Sequence, residues 1–124
     1  MKTILFADDN QDMLEMIQLI LQDSGYNLIT ANDGNEAVKI CLEQAPDLVL
    51  MDLNMPNMNG FDATKILRDK GFSNPIVVLT GSESEDDRKR AEEAGCNEYI
   101  LKTLEMKDVE KTIDHYLYEP GELL

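Results

Sequence analysis

Polar residues of reactive types close four of the five short apolar runs in this chain. Asp8 and Asp9 follow the first run, Asp52 the third, Thr80 closes the fourth, and Lys102 follows the fifth. Each run has the length of a strand, and nearly continuous apolarity is typical of parallel strands covered on both faces. Because the carboxyl ends of parallel strands meet at one edge of a sheet, we expect these side chains to lie together.

Such a cluster would combine acids, a hydroxyl and a cation. Three carboxylates at one edge repel one another, so we expect at least one raised pKa and a divalent cation with oxygen ligands, Mg²⁺. A carboxylate can attack phosphorus when a metal ion and a cation neutralise the phosphoryl oxygens and a hydroxyl orients them. Asp52, Lys102 and Thr80 supply these groups, which indicates phosphoryl transfer to an aspartate.

The apolar runs alternate with segments of helical spacing. The predicted strands are Thr3–Ala7, Asn27–Thr30, Leu48–Met51, Ile76–Thr80 and Tyr99–Leu101. Ser82 and Glu85 form a capping-box pattern that predicts the start of a solvated helix ending at Gly95, and a last helix is expected to end before Pro120. The alternation predicts an α/β fold, a doubly wound five-stranded parallel sheet with helices on both faces.

Composition narrows the possible functions. The 124 residues suffice for one domain, and the 11 basic and 25 acidic residues give a net charge of −14, which disfavours direct nucleic acid binding. Apolar runs are far shorter than a membrane span and no signal peptide is evident, so we expect no membrane insertion and a cytoplasmic location. Cys41 and Cys96 are expected to be buried packing residues, and His115 a solvated helix residue.

The strand-end residues belong to longer motifs. Asp8-Asp9, the run Leu50–Pro56, Gly60, Thr80-Gly81 and Lys102 together resemble a response-regulator receiver domain of two-component phosphorelay systems, and the resemblance covers the whole chain. It implies a flavodoxin-like sheet with strand order 2-1-3-4-5. It also implies a receiver domain over residues 1–119 followed by a short tail, 120–124, without a fused output domain, as in stand-alone chemotaxis regulators.

The resemblance assigns a metal site and a phosphoryl acceptor. Asp52 would accept a phosphoryl group from a histidine kinase or a histidine phosphotransfer protein. Asp9, Asp52 and the main-chain carbonyl of Asn54 would bind Mg²⁺, and Asp8 would contribute through water. The domain would be a signalling switch that promotes its own phosphoryl transfer and dephosphorylation.

The resemblance also assigns a switch. Thr80 and Lys102 would bind the phosphoryl oxygens, and Tyr99, three residues before the lysine, would turn inward with Thr80 on activation. The simplest alternative for Tyr99 is a half-buried aromatic residue with its hydroxyl in water. The output would be a changed protein-binding surface that a downstream protein target recognises.

One position departs from the family pattern. The family has proline after the lysine, joined by a cis peptide bond, whereas this chain has Thr103. A cis bond before a residue other than proline costs about 2.5–4 kcal/mol, so we expect a trans Lys102–Thr103 bond and a different path for the following loop.

The sequence also permits other interpretations of these residues. Asp8-Asp9 could cap a helix, and Asp52 could be a turn residue. A small phosphatase of the haloacid dehalogenase type also uses a strand-end aspartate, although it needs a second acid where Asn54 stands. A flavodoxin-like cofactor binder would need a glycine-containing loop after the first strand, where this chain is acidic.

Overall fold

The computed structural model describes residues 1–102 and 106–117, the second range without the side chains of 106 and 107. Strands and helices alternate in the order β1 (Thr3–Ala7), α1 (Gln11–Leu21), β2 (Asn27–Ala31), α2 (Gly34–Gln44), β3 (Leu48–Met51), α3 (Gly60–Asp69), β4 (Ile76–Thr80), α4 (Glu85–Ala94), β5 (Glu98–Leu101) and α5 (Met106–Leu117). All neighbouring strands pair in parallel, in the order β2-β1-β3-β4-β5. The predicted fold class and strand order are confirmed.

The sheet is covered on both faces because successive strand residues point in opposite directions. Ile4 and Phe6 of β1 belong to the core under α1 and α5, whereas Leu5 and Ala7 belong to the core under α2 and α3. A smaller cluster that includes Tyr99 packs around Ala91 of α4. Both faces of the central strands are therefore dry, as their continuous apolarity predicts.

The start of α4 differs from the prediction. Ser84, and not Ser82, is its N-cap, since Ser84 Oγ accepts a hydrogen bond from Asp87 N at 3.2 Å. Ser82 lies before the helix, where its Oγ accepts a hydrogen bond from Ser84 N at 3.3 Å and donates one to the Asp87 carboxylate at 2.6 Å. The predicted end of the helix at Gly95 is confirmed, with a left-handed φ of 112° that favours glycine.

The two cysteines and the histidine differ in their exposure. Cys41 is buried, and burial raises its pKa to about 12, whereas Cys96 is only half-buried. His115 is exposed, as expected. In the described ranges, no helix is long and apolar enough to cross a membrane. The Lys102–Thr103 bond, the loop after it and the expected tail lie outside the described residues.

Candidate functional site

Three carboxylates meet at the carboxyl edge of the sheet. β1 and β3 are neighbours with Ala7 opposite Met51, so the residues that follow these strands lie side by side. Asp52 N donates to Ala7 O at 2.9 Å, which fixes the two strand ends against each other. One carboxylate oxygen from each of Asp8, Asp9 and Asp52 lies within 4.8 Å of the other two. The structure therefore brings together the acids that the sequence placed at the strand ends.

These acids differ in their exposure to solvent. The side chain of Asp8 is completely buried and Asp52 is 4% exposed, whereas Asp9 is exposed. Asp8 Oδ1 accepts a hydrogen bond from Asn10 N at 2.9 Å, and Asp52 Oδ1 accepts one from Leu53 N at 2.8 Å. Each buried carboxylate thus keeps its second oxygen, Oδ2, for another partner.

Lys102 is that partner for both buried acids. Its Nζ lies 2.7 Å from Asp8 Oδ2 and 3.2 Å from Asp52 Oδ2. The lysine reaches this position because it follows β5, where its main-chain N donates to Thr80 O at 2.8 Å. One ammonium group therefore faces two buried carboxylates, and the site retains an excess of negative charge.

The pKa values reflect this balance. Burial raises the pKa of Asp52, the charge of Asp8 raises it further, and the nearby Lys102 opposes both effects without cancelling them. For Lys102, burial lowers the pKa, but its close contacts with the carboxyl groups of Asp8 and Asp52 raise it above its usual value. The expectation of a raised pKa among the clustered acids is confirmed for Asp52, and Lys102 stays charged at neutral pH.

The cluster fits a hard divalent cation. Asp8 Oδ2 is buried and, despite its close ion pair with Lys102, accepts no well-directed hydrogen bond. The site offers three anionic oxygen donors, the ligand type that Mg²⁺ prefers. An added cation would compensate the excess negative charge that one lysine leaves.

The purely structural interpretations of these acids are not supported. Asn10 is the N-cap of α1, and its side chain accepts hydrogen bonds from Asp12 N and Met13 N. Neither Asp8 nor Asp9 caps this helix. The Asp52 carboxylate bonds the amide of the next residue and not the one two residues on, so an ordinary Asx turn does not explain its position.

Glycine closes the loop that follows Asp52. Gly60 N donates to Leu53 O at 3.0 Å, and a Cβ atom at Gly60 would overlap the carbonyl oxygen of Asp52. The first turn of α3 can therefore pack directly against the Asp52 peptide. Asn54 lies in this loop and is exposed.

Thr80 and Tyr99 are connected through Ser82, a link that the sequence analysis missed. Thr80 is buried and its Oγ1 accepts a hydrogen bond from Ser82 N at 3.3 Å, which leaves its own proton for donation. Tyr99 is 7% exposed, and its hydroxyl donates to Ser82 O at 2.8 Å. The Arg88 guanidinium carbon lies 5.0 Å from the centre of the Tyr99 ring.

The expectation of a half-buried Tyr99 with its hydroxyl in water is therefore wrong. The ring is buried and the hydroxyl has a protein acceptor 17 residues away in the chain. No local pattern indicates that acceptor, because a main-chain carbonyl carries no signature of residue type.

This fold and this arrangement of acids, lysine and threonine define a class of protein. The model of the response regulator receiver domain family matches residues 4–114, so the chain belongs to that family, which serves two-component systems. The solved structure of the Vibrio cholerae chemotaxis protein CheY4 is 30% identical, with a TM-score of 0.86, and the match covers 94% of this chain and 99% of that one.

Relatives of two lengths match the chain. The polar-differentiation response regulator DivK of Brucella anthropi is 30% identical over 118 residues, which cover 94% of this chain and 96% of DivK. The alkaline phosphatase synthesis transcriptional regulatory protein PhoP of Bacillus subtilis (strain 168) is 35% identical over 108 residues, 87% of this chain. The match covers 45% of PhoP, so the chain spans about half the length of that regulator.

Proposed function

We propose that Asp52 accepts a phosphoryl group in a Mg²⁺-dependent reaction, with a histidine kinase or a histidine phosphotransfer protein as donor. The observation that carries the proposal is the position of the Lys102 ammonium group, within 3.2 Å of Asp52 Oδ2 and beside a second buried acid. Because such a donor acts in the cytoplasm, we also propose a cytoplasmic location for this domain.

The chemistry is transfer between a nitrogen and an oxygen. An Asp52 carboxylate oxygen forms a bond to phosphorus as the P–N bond of the donor phosphohistidine breaks, and the histidine nitrogen keeps the electron pair. Lys102 loosens its contact with Asp52 and binds a phosphoryl oxygen, and the free proton of Thr80 is donated to another. Hydrolysis of the acyl phosphate, which the domain itself promotes, resets the switch.

The metal would be held by Asp9, Asp52 and the main-chain carbonyl of Asn54, with Asp8 contributing through water. When bound, Mg²⁺ neutralises charge that develops on the phosphoryl oxygens. The buried Asp8 keeps Lys102 at the site before the phosphoryl group arrives, because its Oδ2 is the closer partner of the ammonium group.

The signal would leave the site through Thr80. A Thr80 hydroxyl drawn toward the phosphoryl group disturbs its hydrogen bond with Ser82, whose carbonyl holds Tyr99. Tyr99 in turn supports Arg88 on the surface of α4. The output is a changed surface for a downstream protein target, and the net charge of −14 disfavours direct contact of this domain with nucleic acid.

The small-phosphatase alternative is less well supported. It requires a general acid/base two residues after the nucleophile, and the amide of Asn54 cannot serve as one. A cavity of about 540 Å³ does lie along α3, but its lining includes Met55, Met58 and Ile66 and none of the three clustered acids.

The test is phosphorylation by acetyl phosphate, followed by intact mass. We expect one added phosphoryl group with Mg²⁺, none in EDTA and none in Asp52→Asn. The matched control Asp69→Asn removes an exposed carboxylate from α3 and should label like the wild type. Labelling of Asp52→Asn at the wild-type rate, or labelling that ignores EDTA, would refute the proposal. The same mass measurement, with a phosphorylated histidine phosphotransfer protein in place of acetyl phosphate, then tests whether such a protein serves as the donor.

A further inference from the structure

The loop between β3 and α3 is tied to the start of α2 by two hydrogen bonds. Asn57 Nδ2 donates to Asp33 Oδ2 at 2.8 Å, and Gly34 N donates to Met58 O at 3.0 Å. Asn57 has a φ of 66°, a left-handed conformation that asparagine tolerates better than most residues. The loop therefore has a specific backbone shape at the point where it is tied.

Asp33 uses both of its carboxylate oxygens. Oδ1 accepts a hydrogen bond from Glu36 N at 2.8 Å and so caps α2, while Oδ2 accepts the bond from Asn57. The bond from Glu36 N lowers the pKa of Asp33, and the bond from Asn57 lowers it further. Asp33 is thus a charged acceptor shared between a helix and the loop.

Both ends of this link lead to the acidic cluster. The loop leaves the sheet at Asp52 and carries Asn54, and it is held again at Gly60. On the other side, Asp33 lies two residues after Ala31, whose carbonyl accepts the hydrogen bond from Asp8 N at 3.0 Å. A hydrogen bond between Asp33 and Asn57 therefore joins the two segments that extend from Asp8 and Asp52.

We propose that Asp33 and Asn57 are positioning residues for the cation site. Their hydrogen bond holds the β3–α3 loop, and with it the main chain of Asn54, against the acidic cluster. Neither side chain touches the reacting atoms. The inference rests on the proposed function, because it assumes that the cluster binds Mg²⁺.

An exchange of donor and acceptor tests the bond itself. In Asp33→Asn, the single carbonyl oxygen stays with Glu36 N at the cap, and the Asn57 amide turns over so that its oxygen accepts from the new NH₂ group, which keeps a neutral hydrogen bond. In Asn57→Asp, two carboxylates face each other. In the double variant, the new amide at position 33 donates to the new carboxylate at position 57, which restores a hydrogen bond with the same net charge as the wild type.

The readout is Mg²⁺ affinity, measured in each variant from backbone amide NMR shifts during a MgCl₂ titration. We expect Asn57→Asp to bind Mg²⁺ roughly three- to tenfold more weakly, at or below the range for residues that support metal ligands, and Asp33→Asn to stay within about twofold of the wild type. The double variant should return to within about twofold of the wild type. Asn57→Gly, which accepts the positive φ without the side chain, should lose as much affinity as Asn57→Asp.

Control variants distinguish the loss of this hydrogen bond from a change in net charge and from failure of the proposed function. Gln18→Glu and Asp69→Asn change charge at exposed positions of α1 and α3, and both should keep wild-type Mg²⁺ affinity. Unchanged affinity in both Asn57→Asp and Asn57→Gly, or a double variant as weak as Asn57→Asp, would overturn the inference. If Asp52→Asn still labels with acetyl phosphate, the proposed function itself has failed, whatever the two positioning residues do.

Discussion

The Asp52 carboxyl group is subject to opposing influences in the folded chain. Burial and the neighbouring Asp8 favour its neutral form, while Lys102 favours its charged form, and the net effect raises its pKa. The folded state places two buried acids against one ammonium group. A bound cation would offset the excess negative charge. Without one, the repulsion between these acids lowers the free energy of unfolding.

Replacing Asp52 should consequently stabilise the protein in the absence of metal. We expect Asp52→Asn to raise the melting temperature in EDTA at pH 7 by roughly 2–5 °C, because Asp8 and Lys102 are left as a balanced pair. A carboxyl whose folded pKa is raised contributes stability that is complete below its unfolded pKa, about 3.9, and lost as pH rises through the folded value. The advantage of the variant should therefore shrink as pH falls toward 4.

Asp9→Asn is the control for this prediction, since it removes an exposed member of the same cluster and should change the melting temperature less. Thermal unfolding of the three proteins between pH 4 and pH 8 provides the comparison. A lower melting temperature for Asp52→Asn in EDTA at pH 7 would mean that attraction between Lys102 and Asp52 outweighs burial.

The loops at the carboxyl edge of the sheet connect rigid elements to the site. Gly60 begins α3 directly against the Asp52 carbonyl, so the helix, the loop and the Asp52 peptide are packed as one unit. On the other side, Ser82 connects β4 to α4 through its bonds with Thr80 and Asp87. Movement of either helix start is thereby coupled to a residue of the site.

Gly60→Ala should disturb this packing. Its Cβ would overlap main-chain atoms that cannot swing away, so we expect a loss of about 1–3 kcal/mol in the free energy of unfolding and slower phosphorylation. Gly81→Ala is the matched control, because a Cβ there has no heavy atom within 4 Å, and it should change stability by less than about 1 kcal/mol. Urea denaturation measures both, and equal effects would contradict the packing argument.

The whole molecule carries a net charge of −14, and its acidic cluster is a local concentration of that charge. Salt screens the repulsion between acidic residues over the whole surface, whereas a bound divalent ion acts only at the acidic cluster. The two effects can therefore be separated by comparing ions at the same ionic strength.

Mg²⁺ should raise the melting temperature beyond the effect of NaCl. At a concentration ten times its dissociation constant, a ligand of the folded state adds about 1.4 kcal/mol, which corresponds to roughly 3–6 °C for a domain of this size. Asp52→Asn should lose most of this increment. If NaCl at matched ionic strength stabilised the wild type as much as MgCl₂, a specific cation site would be contradicted.

Apolar runs and the polar residues that close them sufficed to predict the α/β fold and the edge where Asp8, Asp52 and Lys102 meet. This was possible because the parallel arrangement sends the carboxyl ends of all strands to one side, whatever the details of packing. Periodicity along the chain is a local property, and the ends of strands are visible in it. The motif resemblance added the strand order, which the structure confirms.

Contacts between distant segments could not be read in the same way. Tyr99 and Ser82 are 17 residues apart, and Asn57 and Asp33 are 24 apart. The start of α4 also involved more than one possible partner, since Ser82 and Ser84 both bond Asp87, and only Ser84 Oγ accepts from its main-chain N. Each of these polar groups had several possible partners in sequence, and only the packing of helices and loops over the sheet selects one by bringing it within hydrogen-bond distance.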